Sequence, residues 1–290
     1  MSFSSETKAA LATEFNDKDC CRQAMLAGML YFSPAAADRL TFKTESREVS
    51  EVFSRLLLQI VGIETQAKKA GIVYKTEILG EDFEKTRTFT NEMNFTEFFR
   101  CRKCDNAFFR GAFLAAGFVN PPEKSWRIEL STPDADLACN TATALTMHFR
   151  MPKLSVRRGN QIIYYRDAES IEYFLSYIGA NKAAFAIINA QMLKEKKNEI
   201  NRKTNCDVAN LNKTVTASGI YVEAIQALME SGDFDKLPAE LKATAKLRIE
   251  NDTLSLSELS SIAEPPVSKS QISKRLQKIH TFYKSLTSEP

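Results

Sequence analysis

The chain contains no run of about 18 apolar residues, and its opening stretch, MSFSSETKAALATEF, has neither the charged n-region nor the apolar h-region of a secretory leader. Neither a membrane span nor export is therefore expected; a cytoplasmic location is. Net charge is also scarce. Its 39 Lys and Arg against 36 Asp and Glu leave +3, so a polyanion must be held by local patches rather than by a global field. Cysteine is too sparse for a disulfide scaffold: six in 290 residues. Cys101-Arg-Lys-Cys104 has the spacing of half a zinc site, but a structural site needs four ligands. No second spaced pair follows, and the neighbours Cys20 and Cys21 are not expected to face one ion together. From the ligand count, no metal and no cofactor are expected. What remains, at 44% hydrophobic residues, is enough to bury a real core.

The strongest local pattern lies near the C-terminus. Ser255 followed by Glu258 is a capping box, in which each side chain satisfies an otherwise orphaned helix-start N–H. Ser268 and Gln271 repeat it after the Pro265-Pro266 turn, with Val267 and Ile272 as a hydrophobic staple. Beyond it, Ile272, Leu276, Ile279 and Tyr283 form one apolar stripe. Lys269, Lys274, Arg275 and Lys278 occupy the remaining faces, with no acidic residue before Glu289. A short helix, a tight turn and a basic second helix are the parts of a helix-turn-helix that reads double-stranded DNA. Base readout is expected from Lys269, Ser270, Gln271, Ser273 and Lys274, and phosphate contact from Arg275 and Lys278. Residues 217–228 and 238–250 read as supporting helices, with Ile220, Ala224, Ile225 and Leu228 on one face of the first and Leu241, Ala245, Leu247 and Ile249 apolar in the second.

The first two thirds repeat. CRQAMLAGMLYFSP from Cys21 and FRGAFLAAGFVNPP from Phe109, aligned without a gap, share Arg22/Arg110, Ala24/Ala112, Leu26/Leu114, Ala27/Ala115 and Pro34/Pro122. The same offset pairs strand-like residues 39–44 with 127–132 and helical residues 48–61 with 134–149. It also pairs residues 71–79 with a hairpin at 151–166 that turns about Arg158-Gly159-Asn160. A closing helix is clear at 169–178 in the second half and unclear from Phe95 in the first. The Gly- and Ala-rich opening helices predict a tightly packed two-helix seam.

Two αββ-type halves of this kind resemble the LAGLIDADG homing-endonuclease fold, in which paired helices each place an acidic metal ligand at their C-terminal ends. The gapless alignment puts Gly28 and Ala116 there, and neither can ligate Mg²⁺. Asp17, Asp19, Asp105 and Glu123 lie at the other end or beyond the turn. The scaffold is expected to persist without nuclease chemistry.

Between the repeat and the helix-turn-helix, residues 194–214 are dense in Asn and Lys and read either as a solvated linker or as a partly helical basic segment on phosphates. CCRQA at 20–24, FRGAFLAAGFVNPPEKS at 109–125, NRKTNCDVANLNKT at 201–214, LPAELKATAKLR at 237–248 and SLSEL…PPVSKS…RLQKI at 255–279 resemble the WhiA regulators of Gram-positive bacteria, in order and over essentially the whole chain. The resemblance implies an α+β fold: a degenerate, duplicated LAGLIDADG-like domain (1–100 and 101–200), a basic joint (201–214) and an all-α helix-turn-helix domain (215–290). It implies a nucleoid-associated transcription regulator acting in cell division or chromosome segregation, and in sporulation where that exists. Where members commonly show SKSGVNHRL, this chain has Gln271, Ser273 and Lys274, so a shifted operator is expected. Arg202, Lys203, Lys213, Arg157 and Arg158 are candidate further DNA contacts. An active LAGLIDADG-type endonuclease, and a DNA-tethered protein- or ligand-binding platform built on the repeat domain, are the competing readings.

Overall fold

The computed structural model describes residues 2–13, 18–91 and 95–287. Asp17 and Glu289 lie outside them. The chain divides into two compact units, residues 1–194 and 195–290, each with its own hydrophobic cluster.

The first unit opens with α1 (Phe3–Thr13) and α2 (Asp19–Tyr31). Strand β1 (Arg39–Thr44), α3 (Arg47–Leu56) with a π-helical turn at Leu57–Val61, β2 (Lys68–Ala70), β3 (Val73–Leu79) and α4 (Gly80–Asn91) complete the first repeat. The second runs α5 (Cys104–Ala116), β4 (Gly117–Val119), β5 (Ile128–Thr132), α6 (Ala135–Thr146), β6 (Lys153–Arg157), β7 (Asn160–Tyr165) and α7 (Ala168–Tyr177). The antiparallel sheets match: β1-β3-β2 in the first repeat and β4-β5-β7-β6 in the second, with a lone bridge between Ala35 and Leu40 where the second has β4. The hairpin about Arg158-Gly159 is present, with both residues at positive φ. The closing helix of the first repeat is α4, which precedes the segment from Phe95 where the sequence suggests it; Phe95–Phe98 forms a single 3-10 turn. Helix α4 was illegible because its sequence, GEDFEKTRTFTN, shows little apolar periodicity.

The seam between α2 and α5 is the centre of this unit. Ala24, Ala27, Gly28, Gly111 and Ala112 face one another with no room to spare. A methyl group on Gly28 would strike the Phe108 carbonyl and crowd the Ala112 amide; one on Gly111 would strike the Met25 carbonyl and crowd the Met29 amide. These reciprocal contacts define the pseudo-symmetry: Gly28 corresponds to Gly111, Met25 to Phe108 and Met29 to Ala112. The helices are therefore several residues out of step with the gapless alignment, whereas the strands and caps follow it. Ser46 and Asp134 cap α3 and α6 through side-chain oxygens, and Arg39 and Arg127 precede matching strand residues. A longer loop in the second repeat, residues 120–127 against 36–39 in the first, absorbs the difference. Ser33, not Gly28, is thus the counterpart of Ala116.

Helix α8 (Asn181–Glu230) buries Ala183, Ala184 and Ile187 in the first cluster and Ile225 and Leu228 in the second. Residues 201–214, read as linker or part-helix, are helical throughout, and residues 195–213 are exposed. Lys194, at the end of the first unit, lies 3.8 Å from the centre of the Trp126 ring and donates to the Lys124 carbonyl, a cation–π contact.

The second unit adds α9 (Ala239–Glu250), α10 (Leu256–Ile262) and α11 (Lys269–Thr287). Both caps form as the sequence predicts. The Ser255 amide donates to Glu258 Oε2 at 2.7 Å and the Glu258 amide to Ser255 Oγ at 3.3 Å. The Ser268 amide donates to Gln271 Oε1 at 3.1 Å and the Gln271 amide to Ser268 Oγ at 3.3 Å. Ile272, Leu276 and Ile279 fill the core with Leu241, Ala245 and Leu259. One residue of the face expected within residues 217–228 changes: Ile220 is half exposed. In α9, Leu241, Thr244, Ala245 and Arg248 are buried, and Leu247 and Ile249 are half-buried against the same core.

Arg248 is 2% exposed. Its guanidinium donates to Ser218 Oγ (2.9 Å), to the Asp252 carbonyl (3.3 Å) and to the Leu254 carbonyl (2.6 Å). Burial lowers its pKa, with Asp252 opposing. It ties α8 to the loop that launches the helix-turn-helix.

Candidate nucleic-acid interface

A helix whose buried stripe is Ile272, Leu276 and Ile279 presents its opposite side through Ser270, Lys274, Gln277, Lys278 and Thr281, spaced by three, four and seven residues. All five are exposed. Lys269 and Gln271 are exposed on the flanks of that face, and Ser273 is half-buried. Gln277 and Thr281 were missed as site residues because their side chains are neutral; the i+3/i+7 spacing from Ser270 and Lys274 is the signal that finds them. Arg275 is elsewhere. It turns toward α9 and pairs with Glu240 at 3.1 Å, bracing α11 against α9. Of the other candidates, Arg202, Lys203 and Lys213 are exposed on α8, and Arg158 is exposed at the β6–β7 turn. Arg157 pairs with Glu129 at 2.5 Å.

The repeat domain carries basic rows on the outer faces of its sheets. Lys43 stands opposite Lys75, and Lys75 opposite Lys68, across three strands. Like charges directly opposite destabilise a sheet, and Glu77, at 2.8 Å from Lys75, relieves them locally. On the second sheet Arg127 and Arg157 clasp the buried Glu129 at 2.6 and 2.5 Å, while Arg127 and Arg166 both lie over the Tyr164 ring. Arg150 pairs with Glu169.

A nuclease of this fold would need carboxylates at the C-terminal ends of α2 and α5. Ser33 is there in the first repeat, its hydroxyl donating to the Met29 carbonyl at 2.6 Å, and Ala116 in the second. The hollow beside Gly117, about 340 Å³, is lined by Lys8, Lys43 and a single carboxylate, Glu45. Burial pushes the Lys8 ammonium down to about 8 against the opposing pull of Glu45, which leaves it mostly charged at neutral pH. Two ammonium groups facing one carboxylate disfavour a divalent cation. Asp19 pairs with Arg22, and Asp105 lies 3.0 Å from His148, both at the opposite helix ends.

The cysteines depart furthest from expectation. Cys20 and Cys21 lie in the first turn of α2, and Cys101 and Cys104 lead into α5; the four Sγ atoms all fall within 4.8 Å of one another. The second half of the ligand set, missing in sequence around Cys101–Cys104, is supplied by the other repeat. First-turn side chains of a helix lean toward its N-terminus, so two adjacent cysteines reach over the same helix end. Among the described residues this is the one group of three or more His, Cys, Asp or Glu whose ligand atoms converge.

Two αββ repeats folded around a paired-helix seam, in one chain with a capped basic helix pair, define a LAGLIDADG-like protein carrying a helix-turn-helix domain. Comparison with known proteins agrees. Residues 200–283 match the WhiA C-terminal HTH domain and residues 105–197 the WhiA LAGLIDADG-like domain. A "Probable cell division protein WhiA" of Thermoanaerobacter sp. (strain X514) is 32% identical over 312 residues, covering 99% of this chain and 98% of that protein. One of Heliobacterium modesticaldum (strain ATCC 51547 / Ice1) is 33% identical over 305 residues, covering 97% and 96%. The crystal structure of full-length DUF199/WhiA from Thermatoga maritima has the same fold, with a TM-score of 0.58 and 21% identity over 98% of this chain and 99% of that one. The chain belongs to the WhiA family.

Proposed function

We propose that this protein is a sequence-selective, double-stranded-DNA-binding transcription regulator of cell division without nuclease activity. The observation that carries this reading is the outward face of α11, where Ser270, Lys274, Gln277, Lys278 and Thr281 stand free of acidic neighbours on their own helix while the opposite side anchors the core. Ser270, Gln271, Ser273, Lys274 and Gln277 are assigned to base edges, Gln277 through the two-bond pairing glutamine makes with adenine and Gln271 through its amide nitrogen, its oxygen being held by the Ser268 cap. Lys269 and Lys278 are assigned to phosphates. The repeat domain, with its Lys43–Lys75–Lys68 row, is assigned to DNA flanking the operator, together with Arg158, Arg202, Lys203 and Lys213. The absence of carboxylates from the helix ends supports the loss of cleavage, and the names of the relatives support the cell-division role.

The test is a gel-shift titration against salt, on genomic fragments recovered by chromatin immunoprecipitation. Lys278→Ala should weaken binding and reduce the log–log salt slope by about one unit, the value of one lost phosphate contact. Arg275→Ala should leave the slope in place and instead lower the melting temperature, since it removes the brace to Glu240. An unchanged slope for Lys278→Ala would remove the phosphate assignment. Incubating the same fragments with the protein and Mg²⁺ should leave them intact; specific double-strand cuts would restore the endonuclease reading. Lys68→Ala with Lys75→Ala should shorten the footprint, and an unaltered footprint would point to a protein partner on that face.

A further inference from the structure

The four clustered cysteines are used by nothing above. Cys21 Sγ lies 3.5 Å from Cys101 Sγ and 4.0 Å from Cys104 Sγ, and Cys101 and Cys104 are 3.4 Å apart, with Cys20 Sγ inside the same 4.8 Å group. A tetrahedral Zn²⁺ with Zn–S bonds of about 2.3 Å holds its sulfurs about 3.8 Å from one another. The observed spacings bracket that value. A disulfide pair would draw two sulfurs together to about 2.05 Å and leave the others behind. An iron–sulfur cluster would hold the thiolates several ångströms further apart, because inorganic sulfide and several irons lie between them.

We propose that Cys20, Cys21, Cys101 and Cys104 bind one structural Zn²⁺ as a tetrathiolate site that clamps the two repeats together at the N-terminal ends of α2 and α5. The charge environment suits four thiolates. Two helices, of 13 residues each, begin here, and helix N-termini carry partial positive charge that favours thiolate over thiol. Lys18, Arg22, Arg100, Arg102 and Lys103 flank the ligands in sequence, which offsets the net −2 of a Zn²⁺-tetrathiolate. The Cys101–Cys104 turn is closed by the Cys104 amide donating to the Cys101 carbonyl at 3.0 Å, which holds the two side chains on one side of the turn. Cys21 and Cys104 are buried and Cys20 and Cys101 half-buried, so the ion would be enclosed on the protein side and reachable by a chelator from the other. Binding releases the thiol protons, and no oxidant is needed.

The experiment uses the full chain, purified under reducing conditions. Elemental analysis should find one zinc per chain, released stoichiometrically when an organomercurial titrates the thiols. Replacement by Co²⁺ should produce thiolate-to-cobalt charge transfer together with the intense visible bands of a tetrahedral thiolate site. Cys101→Ser, at the half-exposed rim, should lose about a quarter of that charge-transfer intensity, one of four thiolates having gone, and bind zinc more weakly by more than the roughly 10–100-fold that loss of an outer-shell partner costs. Cys139→Ser, an exposed cysteine outside the cluster, should match the parent protein. A strong chelator should lower the melting temperature of the parent protein, and should do the same to Cys101→Ser at a lower chelator concentration. The proposal is overturned if the native protein holds no metal and gives no cobalt spectrum, if it carries iron with acid-labile sulfide, or if peptide mapping finds any pair of the four joined as a disulfide. Because the elemental and cobalt measurements are made on the parent protein, poor folding of a variant leaves the test intact.

Discussion

Gly28→Ala should destabilise the repeat domain by about 3 kcal/mol, although alanine is the better helix former. The helical preference is worth about 1 kcal/mol in favour of alanine. Against it stands a methyl group driven into the Phe108 carbonyl, with the Ala112 amide behind it. A flexible side chain could swing aside, but here the obstacle is the backbone of a packed helix, so the helices must separate along the seam. Overpacking of this kind lies at the upper end of its usual cost. For a unit of this size the melting temperature should fall by roughly 6–12 °C. Gly111→Ala should behave alike, since it strikes the Met25 carbonyl. The double variant should cost less than the sum, because the first methyl group already opens the seam for the second. Gly219→Ala is the control of opposite sign: it lies in α8 with nothing within 4 Å of its added carbon and should stabilise by up to about 1 kcal/mol. Calorimetry on the four variants checks the set. Full additivity, or a stabilised Gly28→Ala, would refute the close approach.

The second large effect belongs to Arg248. Arg248→Ala should cost the helix-turn-helix unit about 3–5 kcal/mol, the sum of roughly 1–3 kcal/mol for each buried acceptor left unsatisfied and the cavity the side chain leaves behind. Three donated hydrogen bonds disappear, and the carbonyls of Asp252 and Leu254 lose a charged donor inside the fold. Arg248→Met keeps the bulk and removes the buried charge, so it should recover about half of the loss. Burial lowers the guanidinium pKa, but arginine starts far above neutrality, so both penalties should be flat from pH 6 to 8. Urea titration at two pH values measures this. A penalty that vanished toward high pH would mean the group titrates there, contrary to its three retained bonds.

Much of the chain was legible because its signals are local. The capping boxes at Ser255 and Ser268 involve residues three apart, and each forms as written. Strand β1 and the β6–β7 hairpin follow from alternation and an Arg-Gly turn. Short or polar elements were not legible: the three residues of β2 are all exposed, and α4 is mostly polar. Arg248 hid for a different reason. It completes an i, i+3, i+4, i+7 stripe with Leu241, Thr244 and Ala245, but a charged residue is ordinarily assigned to solvent unless partners are known, and its partners sit in another helix and a loop. The Arg275–Glu240 pair was hidden for the same reason, its two members being far apart in sequence.

By itself the sequence determined the succession of elements, the duplication, the capped basic helix pair and the family, since all of these rest on neighbours within a turn or on ordered motifs. The tertiary structure alone decided which residues meet across the duplication. It paired Gly28 with Gly111 rather than sliding the helices with the strands, set Ser33 against Ala116, and brought Cys20 and Cys21 to Cys101 and Cys104. The physical reason is that a helix seam finds its register by backbone clearance and a loop of different length absorbs the slip, so the contacts that build a seam or a four-sulfur site leave no spacing in the chain to be read.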